Sequence, residues 1–491
     1  MREIEVLEVK GPLEMDIAGL AEDSRKVYPG HLFIARRGTR TDGHAFIREA
    51  VARGAIAVVR EDEPDPRLPV TQVRVPDGAE ALGRLAAAFY GHPERRLVLI
   101  GITGTNGKSS VTWMLKKALE KAGKSVGLLG TLIYDTGSRI QKALETTPPP
   151  LKLYPLLAEM VKNGRKMAVL EVSSHALAQS RVAGLLFRLG VFTNLCRDHL
   201  DYHGDPESYF AAKKRLFSEY LAPKGLAVIN VADPWGKRLA EELPRGKGLL
   251  AVGRDFKGEI LSRSRGLKVR VFEPEGEFVV DTELLGDFQR DNLLLAWAVL
   301  RGLGYKPEEV SELLSGASAP PGRFEPVARF REALILVDYA HTPEALRAAL
   351  LSARKLATRR LLCVFGCGGN RDPGKRPLMG RVASELADRL ILTSDNPRFE
   401  DPEKIIRDIL TGINGGVDLR VVRDRQEALR TAISELGPGD VLLVAGKGHE
   451  DYQEVQGRRY PFSDAEVIRR LVAEAEAQGV KKEIEREKRN A

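Results

Sequence analysis

Cysteine is scarce in this chain: Cys196, Cys363 and Cys367 are the three in 491 residues, too few for a disulfide framework, so reduced thiols are expected. The C-x3-C pair lies in VFGCGGN, a strand-to-loop junction with no further thiol ligands. Long hydrophobic runs are missing too. The apolar stretches near 361 and 441 are strand-length, and MREIEVLEVK is charged rather than signal-like, so a cytoplasmic protein without membrane insertion is expected. Aromatic residues are sparse at 6%, and no dense basic block is interleaved with them. The net charge of +8 is therefore explained as well by an anionic small substrate as by nucleic acid. No internal repeat or low-complexity segment appears, which excludes a solenoid. The tail KKEIEREKRN reads as a charged helix end or a frayed terminus without function.

What is present is α/β periodicity over a length too great for one core, and about three domains are expected. Residues 1–95 alternate short β-like runs (LFIAR, AIAVVR, TQVRV) with helical ones (HAFIREAVARG, AEALGRLAAAFYG), a small α/β unit closed by Gly91-His92-Pro93. Residues 96–321 hold the buried strands SVGLLG, MAVLEV, LGVFTNL and GLAVIN, which predict a parallel sheet covered on both faces. The strand-rich stretch from LKVRVF to EFVVDTELLG reads as an antiparallel edge of it. After Pro320-Pro321-Gly322, a hinge or a rigid spacer, residues 322–491 give ALILVDYA, LLCVFGCG, RLILTSD and VLLVAGKG. Each ends in a polar loop, the pattern of a Rossmann-like doubly wound sheet that binds ligands at its strand ends.

The most informative run is LVLIGITGTNGKSSVTWMLKKAL, Leu97 to Leu119: an apolar strand, a glycine-rich loop and an amphipathic helix. Gly101, Gly104 and Gly107 give GxxGTNGKS, with Ile102 where the usual phosphate loop has its first glycine. Backbone N–H groups and the helix end favour phosphate oxygens, Lys108 can reach terminal phosphates, and Ser109 can hold Mg²⁺. Val111, Met114, Leu115, Ala118, Leu119 and Ala122 form one apolar stripe that would seat the helix. Glu171 ends the strand MAVLE, where an acid commonly serves Mg²⁺ in phosphate-loop enzymes; an ordinary surface glutamate is the alternative. CRDHLDYHGD crowds Asp198, His199, Asp201, His203 and Asp205 into one loop, which suggests oxygen-rich Mg²⁺ chemistry with one imidazole, or a solvated acidic turn.

TGTNGKS, EVSSH, TNLCRDHLDYHGD, GRFE and DYAHTP occur in the order they take in the Mur ligase family, and over nearly the whole chain the sequence resembles that family. DSRKVYPGHLFIARRGTRTDGH, GNRDPGKRP, DNPR and GKGHEDYQ are similar to the signatures of its members that add the third residue of the cell-wall peptide. The resemblance implies an N-terminal UDP-binding domain, a central ATPase domain and a C-terminal amino-acid domain. It implies an ATP-dependent ligase, acting as a monomer, that adds meso-diaminopimelate to UDP-N-acetylmuramoyl-L-alanyl-D-glutamate through an acyl phosphate.

The site residues follow from the same resemblance. Gly104, Thr105, Asn106, Gly107, Lys108, Ser109, Ser110, Asn292, Arg323 and Asp338 would meet ATP. Ser109 and Glu171 would hold one Mg²⁺, with His199 and a CO₂-derived carbamate on Lys213 serving a second; sequence alone reads Lys213 as a surface lysine, with Lys214 the competing assignment. Ser24, Thr39, Arg40 and Thr41 would meet the UDP end, and Thr146, Thr147, Ser173, Gln179 and Arg181 the muramoyl peptide. Arg371, Asp395, Asn396, Pro397, Arg398, Gly446 and Glu450 would hold diaminopimelate, the Arg398 fork matching its extra carboxylate. Glu145 and Gln289 depart from the family's asparagines and are unassigned. The rivals are an L-lysine-adding ligase, a folylpolyglutamate synthase, a phosphate-loop ATPase acting on nucleic acid, and a nucleotide-binding scaffold.

Overall fold

The computed structural model describes residues 3–38, 41–264 and 266–490. In the N-terminal stretch, strands β1 (Glu8–Lys10), β2 (Gly19–Ala21), β3 (His31–Ile34), β4 (Ala57–Arg60) and β5 (Thr71–Arg74) form a sheet ordered β1-β5-β4-β3-β2. It is parallel except for β1. Helices α1 (Ile47–Ala52) and α2 (Gly78–Phe89) accompany it. Asp77 caps α2 by accepting from the Ala79 and Glu80 N–H groups, and the helix buries Ala81, Leu82, Leu85 and Ala86.

The next stretch builds an eight-stranded sheet from β6 (Val98–Thr103), β7 (Val126–Leu129), β8 (Ile133–Asp135), β9 (Ile140–Lys142), β10 (Met167–Glu171), β11 (Phe187–Phe192), β12 (Leu221–Asn230) and β13 (Gly248–Val252). Its order is β13-β12-β11-β6-β10-β7-β8-β9. The strands β12, β11, β6, β10 and β7 run parallel, as their continuous apolar character predicts, and β10 is buried along its length. The connecting helices are α3 (Lys108–Lys121), α4 (Pro150–Lys162), α5 (Ser174–Ala178), α6 (Leu200–His203), α7 (Pro206–Ser218) and α8 (Pro234–Glu241). On α3 Val111, Met114, Leu115, Ala118 and Leu119 of the expected stripe are buried, whereas Ala122 lies just past the helix end and is half-buried.

The antiparallel edge of this sheet is not where the sequence predicts it. It is the short hairpin β8–β9. The stretch LKVRVF to EFVVDTELLG instead joins β14 (Lys257–Ser262), β15 (Lys268–Glu273) and β16 (Gly276–Asp281) in a separate three-stranded antiparallel sheet. Alternation along β15 explains why: Val269 and Val271 are buried while Lys268 is exposed, giving the strand one apolar face and one wet one. Helices α9 (Gln289–Gly302) and α10 (Pro307–Leu314) accompany this sheet.

The C-terminal stretch is a six-stranded sheet of β17 (Glu325–Phe330), β18 (Ala333–Asp338), β19 (Leu361–Phe365), β20 (Arg389–Leu392), β21 (Asp418–Val421) and β22 (Val441–Ala445), ordered β17-β18-β22-β19-β20-β21. All pairs are parallel except β17–β18. Apolar clusters cover both faces, as a doubly wound sheet requires. Its helices are α11 (Pro343–Arg354), α12 (Lys375–Leu386), α13 (Pro402–Leu410), α14 (Arg425–Ser434) and α15 (Asp464–Asn490), and a hairpin of β23 (Tyr452–Val455) and β24 (Arg458–Pro461) follows β22. KKEIEREKRN lies in α15. The Pro320-Pro321-Gly322 segment is fastened locally, with Gly322 N–H donating to the Glu325 carboxylate at 2.7 Å. No described helix is long and apolar enough to cross a membrane.

The chain groups into two compact units. One holds Met1–Gly104, Leu115–Thr193 and Phe210–Ala251; the other holds Thr105–Met114, Asn194–Tyr209 and Val252–Ala491.

Candidate active site

The loop after β6 turns on two glycines with positive φ, Gly104 and Gly107, before α3 begins at Lys108. At Gly107 a side chain has no room, because a Cβ would stand 2.4 Å from Asn292 Oδ1. The loop is held by the segment that follows β11. Asn194 accepts the Thr105 N–H on its backbone oxygen at 2.9 Å and the Asn106 N–H on Oδ1 at 3.0 Å, and its Nδ2 donates to the Asn106 carbonyl at 3.3 Å. Thr105 Oγ1 accepts the Cys196 N–H at 3.0 Å and lies 3.1 Å from the Tyr209 hydroxyl. Lys108 folds back to donate to the Thr105 carbonyl at 2.8 Å, while Ser109 and Ser110 are buried.

Two residues predicted to approach the nucleotide meet this loop. Arg323 Nη2 donates to Ser109 Oγ at 3.2 Å, and its guanidinium lies 4.4 Å from the centre of the Tyr339 ring. Asn292 is buried and donates to Gln289 Oε1 at 2.8 Å, so Gln289, unassigned from sequence, orients it. Asp338 ends β18, where burial pushes its carboxyl up to about 6 despite the opposing charge of Arg323.

The crowded loop CRDHLDYHGD divides its acids among separate tasks. Asp198 is buried, with His199 Nε2 and His341 Nε2 each 3.4 Å from its carboxylate. Burial opposes its charge, but hydrogen bonding and charge from His341, then His199 and Lys375, hold its carboxyl well below the usual range. Asp205 caps α7 by accepting from Ser208 N–H and Oγ, both at 2.8 Å, and Asp201 is exposed. The spacing therefore overstates the cluster, since side chains two residues apart in a turn need not face one way. His199 itself has left-handed backbone, φ 55°, at the start of α6.

Within the other unit, Glu171 is a buried carboxylate. Its Oε1 accepts the Thr131 N–H at 3.0 Å and its Oε2 the Thr131 hydroxyl at 2.8 Å. Around it gather most of the residues expected to hold the muramoyl peptide. Thr131 and Thr146 hydroxyls lie 3.1 Å apart, Thr147 Oγ1 donates to the Glu171 carbonyl at 2.8 Å, and the Ser173 N–H donates to Thr147 Oγ1 at 3.0 Å. Arg181 donates to the Thr147 carbonyl at 2.9 Å and to Gln179 Oε1. It also pairs with Glu145 Oε2 at 3.3 Å, which gives that departure from the family pattern a place in the network.

Lys213, on α7, is 1% exposed, and its Nζ donates to the Gly104 carbonyl at 2.8 Å. This is no surface lysine. Lys214, the competing assignment, points elsewhere and pairs with Glu242 at 2.8 Å. Of the residues expected at the UDP end, Ser24 is buried and donates to Glu49 Oε2 at 3.0 Å, and Thr41 is exposed. Thr39 and Arg40 lie outside the described residues.

In the C-terminal sheet, Asp395, Asn396, Pro397 and Arg398 follow β20, and Gly446 and Glu450 follow β22, both at carboxyl ends of strands. A Cβ at Gly446, φ +110°, would come within 2.6 Å of Asp395 Oδ2, so the two loops meet where only glycine fits. Arg398 does not pair with Glu400 or Asp401 as a surface arginine would. It donates to the Gly369 carbonyl at 2.7 Å and stands 3.7 Å from Glu454 Oε2. Glu450 Oε2 accepts from Asn396 Nδ2 at 2.7 Å. Arg371, in contrast, is exposed.

Among the described residues, no three His, Cys, Asp or Glu side chains cluster as a metal cage. Taken unit by unit, one holds the Ser109 hydroxyl and the His199 imidazole and the other the Glu171 carboxylate, each already hydrogen-bonded or paired within its own unit. A lone hydroxyl or carboxylate is the kind of donor that fits Mg²⁺, which retains waters and takes one or two carboxylates together with substrate phosphates.

Three family models match in succession: "Mur ligase family, catalytic domain" over 16–90, "Mur ligase middle domain" over 102–300, and "Mur ligase, glutamate ligase domain" over 322–448. A UDP-N-acetylmuramoyl-L-alanyl-D-glutamate–2,6-diaminopimelate ligase from Aquifex aeolicus is 44% identical over 93% of this chain and 94% of its own. The chain belongs to the Mur ligase family. The ligase of the same description from Gloeobacter violaceus is 44% identical over 96% of this chain and 97% of its own. A solved structure of a ligase so named aligns with TM-score 0.66 at 34% identity, covering 94% of this Mur ligase and 95% of that chain. The three-domain α/β architecture of the family is thus present.

Several residues of the site were given no role by sequence reasoning. Thr131, Asn194 and His341 carry no chemistry of their own and act by holding Glu171, the phosphate loop and Asp198. Asn194 and His341 lie inside TNLCRDH and DYAHTP, so their motifs were visible even though their partners were not.

Proposed function

We propose that this Mur ligase joins meso-diaminopimelate to UDP-N-acetylmuramoyl-L-alanyl-D-glutamate, cleaving ATP to ADP and phosphate, in the synthesis of peptidoglycan precursors. The observation that carries the reading is its similarity, over more than nine-tenths of both chains, to ligases named for that reaction. The same reading makes it a cytoplasmic monomer with domains at about 1–95, 96–321 and 322–491; the second and third matched models begin at 102 and 322.

A carboxylate oxygen of the dipeptide attacks the γ-phosphorus of ATP, forming an acyl phosphate as the bond to ADP breaks. The amine of diaminopimelate then attacks the acyl carbon; phosphate leaves, and the nitrogen loses a proton. Carboxylate and triphosphate repel, so the first step needs positive charge and alignment, and alignment alone supplies roughly 7–11 kcal/mol of such barriers. Lys108 and the N–H groups of the loop receive the phosphates, and Arg323 adds a second cation beside Ser109. Asn292 contacts the adenine, and Asp338 approaches the nucleotide. One Mg²⁺ that Ser109 and Glu171 would hold, and a second that His199 and a modified Lys213 would hold, would neutralise phosphate oxygens.

Lys213 would serve as its carbamate. A buried ammonium beside phosphates and metal would compete with the metal for the site, whereas CO₂ added to Nζ gives an anionic oxygen ligand. Thr146, Thr147, Ser173, Gln179 and Arg181 orient the acceptor peptide, and Ser24 with the 39–41 loop receives the uridine end. Arg398, with Arg371, takes the distal carboxylate of diaminopimelate, a contact a lysine substrate lacks; Gly446 and Glu450 take its ammonium, and Asp395 lines the same site. The test is product mass from purified protein with ATP, Mg²⁺, the muramoyl dipeptide and a panel of diamino acids. Amide product from meso-diaminopimelate, well above that from L-lysine, is expected. Preference for L-lysine would overturn the choice of amino acid, and no amide at all would overturn the reading.

A further inference from the structure

Lys447, in GKGHE, has no part in the chemistry described above, yet its residue is 0% exposed. Burying an ammonium is unfavourable unless it is fully partnered, and hydrophobic residues of similar size usually serve stability as well or better. Its partners therefore matter. Nζ donates to Asn396 Oδ1 and to Glu450 Oε2, each at 3.1 Å, and stands 5.6 Å from the centre of the Tyr452 ring. Asn396 closes the triangle, its Nδ2 donating to the same Glu450 oxygen at 2.7 Å while its Oδ1 also accepts the Glu454 N–H at 2.9 Å.

The triangle links three pieces of chain: the loop after β22, the Asp395–Arg398 loop after β20, and strand β23. Arg398 is bound to the same strand, its N–H donating to the Glu454 carbonyl at 3.0 Å and its carbonyl accepting from the Gln456 N–H at 2.6 Å. Beneath the β22 loop a second buried cation, Arg425, forms a bidentate pair with Asp464 at 2.7 and 2.8 Å and donates to the Ala445 carbonyl at 3.0 Å. The loop carrying Lys447 is thus fixed from below, and Lys447 transmits that fixed position to Glu450 and Asn396.

We infer that Lys447 is a positioning residue for amino-acid selection, setting the separation between the Glu450 carboxylate and the Arg398 guanidinium. The inference rests on the ligase reading above, in which Glu450 meets the distal ammonium of the substrate and Arg398 its carboxylate. Two donors already occupy Glu450 Oε2, which fixes the rotamer of the carboxylate and leaves Oε1 to the substrate. A ruler of this kind distinguishes a diamino diacid from a diamine with one carboxylate, because both contacts form only when the two protein groups are correctly spaced. Without the Nζ charge, Glu450 keeps only Asn396 and can turn away.

The test is steady-state kinetics of Lys447→Met, Glu450→Gln and the double variant, with meso-diaminopimelate, L-lysine, ATP and the muramoyl dipeptide each varied in turn. Lys447→Met is expected to raise KM for meso-diaminopimelate about tenfold or more and to narrow its advantage over L-lysine. KM for ATP and for the dipeptide should stay within about twofold, and the double variant should be hardly worse than the worse single one. Equal rises in all three KM values, or additive effects in the double variant, would reduce Lys447 to a structural residue. Should Lys447→Met fail to fold, Lys447→Gln retains a donor without the charge: a smaller rise confined to the amino acid supports the inference, and an unaltered KM overturns it. Wild-type protein that makes no amide removes the ligase reading and this inference with it, whereas wild-type product with unaltered kinetics in the variants removes this inference alone.

Discussion

Single residues show where the chain accepts an electrostatic cost. Lys213 is buried on the Gly104 carbonyl, a position an aliphatic side chain would fill more cheaply if packing were its only duty. Lys213→Ala is expected to lose nearly all phosphate release under saturating substrates, with small carboxylates such as formate restoring part of it. Full turnover in the variant would contradict the carbamate role. Asp338 accepts a different cost. Its carboxyl is raised to about 6, so between the ordinary carboxylate range and that value the folded state binds more proton than the unfolded chain, and stability falls as pH rises through the window. The loss is on the order of 2–3 kcal/mol once the group is ionised. Asp338→Asn should therefore gain on wild type in thermal melts at about pH 7.5 compared with about pH 5; a constant difference would contradict this. Asp287 works in the opposite sense: hydrogen-bonded first to Arg263, it is lowered to about 2, and its contribution is lost only as pH falls toward that value. The identities of Lys108, Ser109 and Glu171 were legible because their types and spacing carry the chemistry. The burial of Lys213 and the Asp198–His341 pair were not, since both depend on partners far away in the chain.

Elements rather than residues determine how rigid the phosphate loop is. It is glycine-bearing and short, and it borrows order from the segment after β11, above all from the three hydrogen bonds of Asn194. Asn194→Ala removes two of them and leaves Asn106 backbone groups to find water, a loss of about 1–3 kcal/mol. Nucleotide affinity, measured by titration of a fluorescent ATP analogue, should fall roughly tenfold or more with little change in melting temperature. Unaltered affinity would show that the loop holds its own shape. Most elements were readable from hydrophobic pattern: ALILV and VLLVA are strands buried on both faces, and helix α3 follows its glycine loop as expected. The exception has a physical cause. Pattern gives an element's type but not its neighbours, so the β15–β16 stretch reads as an edge of the central sheet, whereas the short hairpin β8–β9 takes that edge.

At the scale of the whole molecule, one chain carries a glycine loop after β6, a hydrogen-bonded network around Glu171 and two loops that meet at the ends of β20 and β22. On the proposed ligase reading the first would receive ATP, the second the acceptor peptide and the third the amine to which the energy of cleavage is delivered. Order of motifs along the sequence made this organisation legible, because each motif keeps its own strand end, whereas the contacts that tune selectivity, such as Lys447 on Glu450, appear only in the folded chain. On this reading ATP cleavage and amide formation are coupled, and phosphate release reports whether they are. With ATP and Mg²⁺ present, release should be near background when either the muramoyl dipeptide or meso-diaminopimelate is omitted. It should rise sharply only when both are supplied, with one phosphate per amide bond formed. Release that runs at full rate without the amino acid, or with no amide to match it, would contradict the account.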